Sequence, residues 1–195
     1  MRLTKEQAEQ NRGLILEAAS RMFKLHGMGN VSVADVMKES GFTHGGFYNH
    51  FASKEHLAVE AVACSFEKSA TGLSERFASG RSPQKALSAF VAEYLSPAYR
   101  DSCTGGCPAS ALPIDAARNG KEVQTVFADG IEAYLDLIAS QMEGSKQEAR
   151  QQAIALLSGL VGALMLSRAV KNGSPKLSDE LLDSARKYIS KNGIR

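Results

Sequence analysis

The sequence predicts an all-α protein of about nine helices, and three observations carry that prediction. Apolar residues recur at three- and four-residue spacing through nearly every segment, as on amphipathic helices. Valine and isoleucine nowhere alternate with polar residues over a long run, as a half-buried strand requires. Proline is scarce, five in 195 residues, and a hydrophobic content of 44% is enough to bury a core.

The first helix is expected over about 4–25. Ile15, Ala18, Ala19, Met22 and Phe23 form its inward stripe, and Gly27 stops it. Lys5 and Arg12 read as exposed and within reach of phosphates. After a turn at 27–30, Ser32 caps the next helix, with Asp35 three residues on in capping-box spacing. Val33, Val36 and Met37 give that helix its apolar face. Gly41 ends it, because a left-handed residue is needed there and glycine has no Cβ penalty. Phe42 fills the turn, and Thr43 is placed to cap a second short helix over 44–51.

On that second helix Phe47 and Phe51 face inward, while Tyr48, Asn49 and His50 point away. Gly45 and Gly46 each cost a helix about 1 kcal/mol relative to alanine. A helix kept only for packing has no use for them. A first turn that must lie close to a DNA backbone does. Two short helices around a tight turn make a helix-turn-helix, whose second helix enters the major groove.

Ser53 caps a long helix over about 54–77, with Lys54 in its first turn. The helix dipole disfavours a cation there, and a phosphate at that N-terminus would account for the lysine. The loop 78–83 is the expected boundary, and Ser82 with Pro83 opens the next helix. Leu87, Phe90, Val91, Tyr94 and Leu95 line that helix until Pro97 ends it. Residues 96–108 read as irregular, and 109–118 as a short helix closed by Asn119 and Gly120. A helix over about 121–142 carries Val123, Val126, Phe127, Ile131, Tyr134, Leu135 and Ile138. The last two helices are expected over about 146–170 and 178–190. The first of these is apolar on most sides, so every side must be covered. Its apolar run, 153–166, reads as too short to span a bilayer.

Charge adds little by itself. Residues 1–54 hold seven Lys and Arg against five Asp and Glu, and the rest hold sixteen of each. The whole net charge of +2 therefore falls in the segment read as DNA-binding. No secretory signal opens the chain, and its three cysteines read as free thiols in a reducing cytoplasm.

The run Arg12, Ile15-Leu16, Ala18-Ala19, Phe23, Gly27, Ser32-Val33, Val36, Ser40-Gly41-Phe42-Thr43, Gly45, Phe47-Tyr48-Asn49-His50-Phe51, Ser53-Lys54-Glu55 and Leu57 resembles the DNA-binding domain of TetR-family transcriptional regulators. The likeness covers about residues 9–60. His44 with Gly46 departs from many members, which leaves base preference open. The resemblance implies a helix-turn-helix head over 1–53 and a ligand-binding and dimerisation body over 54–195, linked by the helix 54–77. It implies a cytoplasmic homodimer that binds a palindromic double-stranded DNA operator and leaves it when a small-molecule inducer binds, most simply as a repressor. No cofactor or membrane is implied.

Site residues follow. For DNA they are Ser32, Thr43, His44, Gly45, Gly46, Tyr48, Asn49, His50 and Lys54. Asn49 suits an adenine edge. The family's use of the matching positions implies phosphate contacts for Tyr48 and His50, with packing against the following helix as the alternative for His50. For a ligand the body offers Phe66, Phe90, Tyr94, Tyr99, Cys107, Leu112, Asp115, Phe127, Tyr134 and Met165. Asp115 is the expected polar anchor, or else a surface carboxylate. The family's dimer, a four-helix bundle of the last two helices, implies an interface at Leu157, Leu160, Val161, Gly162 and Leu164.

Cys103 and Cys107 raise two further readings. A thiol enzyme lacks a base, since no histidine follows His56, and two cysteines fall short of a zinc site. Alternatively Cys107, ahead of Pro108 at a helix N-terminus, is a thiol of lowered pKa that senses electrophiles or oxidants. The run Gly106-Cys107-Pro108 with Ala111-Leu112 resembles some drug-responsive and electrophile-sensing members of the family.

Overall fold

A computed structural model describes residues 4–80, 82–102 and 106–192, and they are helical with no strand among them. Helix α1 spans Lys5–His26 and starts from a full capping box between Thr4 and Gln7. Gly27 ends it at φ 79°, a conformation that favours glycine. A 3-10 turn, Met28–Asn30, leads to α2, Val33–Glu39, which begins with the predicted Ser32–Asp35 capping box. Gly41 takes φ 82° in the turn that follows.

The segment predicted as a helix over 44–51 is instead a 3-10 turn, His44–Asn49, and the Thr43 side chain does not cap it. The bonds Gly46 N–H to Thr43 O at 3.0 Å and His50 N–H to Phe47 O at 2.9 Å span three residues, not four. Two adjacent glycines in so short a piece leave too little helical preference for a full α-turn.

Helix α3, Lys54–Ser79, is capped by Ser53 and runs through the whole molecule, packing on α1 near its start and on the body beyond. The body continues with α4 (Pro83–Tyr94), α5 (Pro97–Asp101), α6 (Pro108–Ala111), α7 (Pro113–Arg118), α8 (Lys121–Ala139), α9 (Lys146–Val170) and α10 (Pro175–Asn192). Prolines decide three departures from expectation. Pro97 opens α5 behind its cap Ser96, although it was expected only to end α4. Pro113 splits the expected helix 109–118 into α6 and α7. Pro175 starts the last helix three residues early. Each proline sits in a first turn, where its missing N–H costs nothing.

The core forms where α3 lies against α8, α8 against α9, and α9 against α10. Phe66 of α3 rests on Gly130 of α8 so closely that an added Cβ would lie 2.2 Å from the ring. Helix α9 has 25 residues, long and apolar enough to cross a membrane by length and composition, and extends beyond the apolar run 153–166 at both ends. Within the protein it is the central helix of the body, packed on α4, α5, α6, α8 and α10.

Candidate functional site

The head presents its polar residues by burying their neighbours. Phe47 and Phe51 are buried and stack at 5.6 Å between ring centroids. Phe42 N–H donates to Met37 O at 2.8 Å, which fixes the turn between α2 and the 3-10 segment. The residues between the phenylalanines are thereby turned outward. Tyr48 is 69% exposed. Thr43, His44, Gly45 and Asn49 are exposed, while Gly46 and His50 are half-buried. Lys54 lies half-buried in the first turn of α3. Ser32 is engaged in capping, its hydroxyl accepting Asp35 N–H at 3.1 Å.

Gly45 has no internal reason to be glycine. Its φ is not positive, and a Cβ there would meet nothing within 4 Å. Arg12 corrects an expectation: it is not free for phosphate. It pairs with Glu60 and lies over the Phe51 ring at 4.7 Å, bracing α1 against α3. His56 Nε2 shares the same carboxylate at 2.9 Å.

The body holds a cavity of about 180 Å³ lined by Lys68, Ser69, Gly72, Leu73 and Arg76 of α3 with Phe90, Tyr94, Tyr99, Cys107 and Tyr134. Five predicted ligand residues meet here. The other five do not. Phe66 and Phe127 pack on each other in the core, edge to face at 5.1 Å. Leu112 is buried and Met165 half-buried, and neither lines the cavity. The α3 residues escaped notice because polar side chains on a long helix read as solvated. Their signal is the recurrence of 68, 69, 72, 73 and 76 on one helical face.

Cavity chemistry is set by burial. It pushes the phenols of Tyr94, Tyr99 and Tyr134 up, so all three stay neutral donors. Tyr99 Oη accepts Cys107 N–H at 2.9 Å, and Tyr134 Oη meets the Ser69 hydroxyl. Tyr94 Oη is buried without a hydrogen-bond partner among the described residues. Burial also pushes the Cys107 thiol up, outweighing the opposing influence of the nearby Tyr134 and Tyr94 hydroxyls. The expectation of a thiol lowered by a helix N-terminus is therefore overturned. Helix α6 has four residues, too few for a strong dipole, and Cys107 is fully buried. Cys103 lies outside the described residues.

Below the cavity a polar network reaches α9 and α10. Arg168 Nε donates to Arg100 O at 3.0 Å, and its other nitrogens to Tyr99 O and Ser110 Oγ. Buried Arg100 donates to Ser178 Oγ and Asp179 Oδ1, each at 2.7 Å.

Asp115 does not line this cavity, and it is not a free surface carboxylate either. Its Oδ1 accepts Met28 N–H at 2.7 Å, joining α7 to the end of α1. The reason is local: α7 points its first turn at Gly27, leaving the carboxylate 3.2 Å from where a Cβ would stand.

The expected dimer residues also need correction. Leu157, Leu160 and Leu164 are buried inside one subunit, whereas Val161 and Gly162 are half-buried. The apolar side chains left open are Ile154 and Leu166 on α9 and Leu177 and Tyr188 on α10. A Cβ at Gly162 would meet nothing within 4 Å.

Comparison with known proteins bears on both halves of the chain. Residues 15–61 match the family described as bacterial regulatory proteins, tetR family. Residues 83–177 match the C-terminal domain of LmrA/YxaF-like transcriptional regulators. The chain is 26% identical over 174 residues to the HTH-type transcriptional regulator LmrA of Bacillus subtilis, covering 86% of this chain and 91% of that one. It is 28% identical over 171 residues to YxaF of the same organism, covering 86% and 90%. Its fold is similar to reduced NemR of E. coli, with a TM-score of 0.80 over 93% of this chain and 96% of that one at 18% identity.

Proposed function

We propose, from the premise that the chain belongs to the TetR family of bacterial transcriptional regulators, that it is a cytoplasmic homodimeric repressor released from a palindromic operator by a small molecule. The head, 1–53, takes DNA. The body, 54–195, takes the ligand and the second copy, and α3 links the two. The family is one of regulators rather than enzymes.

The observation that carries this reading is the exposed turn His44–Asn49, with a glycine at 45 that nothing inside the protein requires. A duplex pressed against that turn supplies the missing reason. Asn49 reads base edges, Tyr48 and His50 hold phosphates, and a further phosphate sits at the N-terminus of α3 beside Lys54. Two copies meet through the open apolar side chains of α9 and α10, including Leu166 and Tyr188. A ligand in the cavity moves Tyr99, Cys107 and α6, and α7 passes that motion to α1 through Asp115 and Met28.

Gly72 provides the test. It lines the cavity, and a Cβ there meets nothing within 4 Å, so the leucine of Gly72→Leu starts from open space and takes up cavity volume. Protein bound to a fluorescent duplex is challenged with a chemically diverse set of small molecules. At least one is expected to release wild type and to fail on Gly72→Leu, with DNA affinity retained. Release that ignores the substitution would place the inducer elsewhere. Release by no compound would count against ligand control.

A further inference from the structure

The groups around the cavity are short of hydrogen-bond acceptors and negative charge. Tyr94 is 1% exposed, and its hydroxyl has no partner among the described residues. The buried Ser65 hydroxyl is likewise unpartnered. Tyr99 accepts a bond from Cys107 N–H, which leaves its own proton to give. A second cavity of about 390 Å³, lined by Glu17, Ser20, Arg21, Lys24, Ser65, Lys68, Ser69 and Gly106, shares Lys68 and Ser69 with the first. The two therefore adjoin at these α3 residues, and a passage through them would run from the surface beside α1 to the tyrosines.

Charge along this passage does not balance. Lys68 pairs with Glu17, Arg21 with Glu39, and Arg76 with Glu93. Lys24, half-buried on α1, has no ion pair among the described residues. Burial and the nearby Lys68 push its ammonium down, and the Cys107 and Cys64 thiols lie close enough to be felt. An uncompensated cation in a half-buried place is costly unless something anionic arrives. The inner walls are flat and aromatic. Phe90 meets Tyr94 edge to face at 5.5 Å, and Tyr94 stacks on Tyr99 at 4.8 Å. At about 180 Å³ the inner chamber is smaller than the ~300–1,000 Å³ of sites for drug-sized ligands.

We propose, resting on the ligand-controlled reading above, that the passage binds a small aromatic carboxylate. Its ring lies against Leu73, Phe90 and Tyr94, and its carboxylate is held between the Lys24 and Lys68 ammonium groups with the Tyr94 hydroxyl as donor. Lys24 belongs to α1, three residues before Gly27, so the ligand's charge pulls directly on the first helix of the head, which packs on α2, and α2 packs on the DNA-binding turn. Part of the signal therefore enters the head through α1 itself, beside the Asp115 contact.

Calorimetry on the full-length dimer tests this with benzoate, 4-hydroxybenzoate and cinnamate, each against its neutral amide. At least one acid is expected to bind roughly tenfold or more tightly than its amide, the worth of a charge-assisted contact. Lys24→Met and Lys68→Met should each weaken the acid by a similar factor and leave the amide unchanged. Tyr94→Phe should weaken the acid while the thermal unfolding midpoint holds. If no acid binds, if amides bind equally well, or if neither lysine matters, the carboxylate assignment is wrong. Should a neutral compound then release DNA in a Gly72-dependent way, ligand control stands and only the ligand class falls. If nothing releases DNA, ligand control itself has failed.

Discussion

Asp115 Oδ1 accepts the backbone N–H of Met28 at 2.7 Å, across 87 residues of sequence, and so ties the body to the end of the first helix of the head. Removing that carboxylate leaves a half-buried amide unpaired. Asp115→Ala is expected to cost about 1–3 kcal/mol of stability in urea unfolding. It should also weaken DNA binding, because the two heads lose part of the support that holds their spacing. An unchanged unfolding midpoint together with unchanged DNA affinity would show that the contact carries neither load.

Gly130 lies under the Phe66 ring, where a Cβ would stand 2.2 Å from the nearest carbon. The buried ring, held by Phe127 and Tyr134, has little room to move. Gly130→Ala gains helix propensity yet is expected to destabilise by about 1–3 kcal/mol through overpacking. Thermal unfolding checks the sign, and a stabilised variant would mean the α3–α8 contact can open freely.

Leu160 and Leu166 share α9 and face opposite environments, one fully buried and the other 57% exposed. Leu166→Glu should give a folded monomer by light scattering, if the proposed interface covers that position. Leu160→Ala should leave the oligomeric state alone and cost about 2–5 kcal/mol as a core cavity. A Leu166→Glu protein that stays dimeric would move the interface away from this face.

Asp101 is held by Arg100 and Lys171, which lower its carboxyl from 3.8 to about 2. A folded pKa below the unfolded one contributes stability that is complete above about pH 4 and is lost as pH falls through about 2. The carboxyl carbon of Asp101, followed by NMR, should titrate near 2 and return toward 3.8 in Lys171→Met. A wild-type midpoint near 3.8 would show that the contacts of Arg100 and Lys171 do not persist in solution.

Much of the head is legible in sequence because its causes are local. The Ser32–Asp35 box, the stop at Gly41 and the phenylalanine pair at 47 and 51 all act within a few residues. The 3-10 form of the turn is not, since the helical spacing of Phe47 and Phe51 hides how little Gly45 and Gly46 favour an α-helix. Half of the cavity is legible, as four aromatic residues and Cys107. The α3 half is not, because Lys68, Ser69 and Arg76 gain their role only from what packs opposite them. Asp115 has no local signal at all for a partner 87 residues away. On α9, apolar residues on most sides conceal which face is buried within the chain and which is left open. Leu157, Leu160 and Leu164, expected at an interface, are buried within the chain.

The most direct measurement is selection of bound duplexes from a random pool by the purified full-length protein, followed by affinity against salt on the winning sequence. Two identical turns at 44–49 require an inverted repeat, with half-sites about one helical turn or a multiple apart, and log affinity should fall steeply with log salt. On that duplex Tyr48→Ala and Lys54→Ala should weaken all sequences alike and shallow the salt slope, whereas Asn49→Ala should relax base choice. Gly45→Ala should weaken binding without loss of stability. Enrichment of a sequence with no two-fold symmetry, or affinity indifferent to salt and to these four changes, would contradict the account.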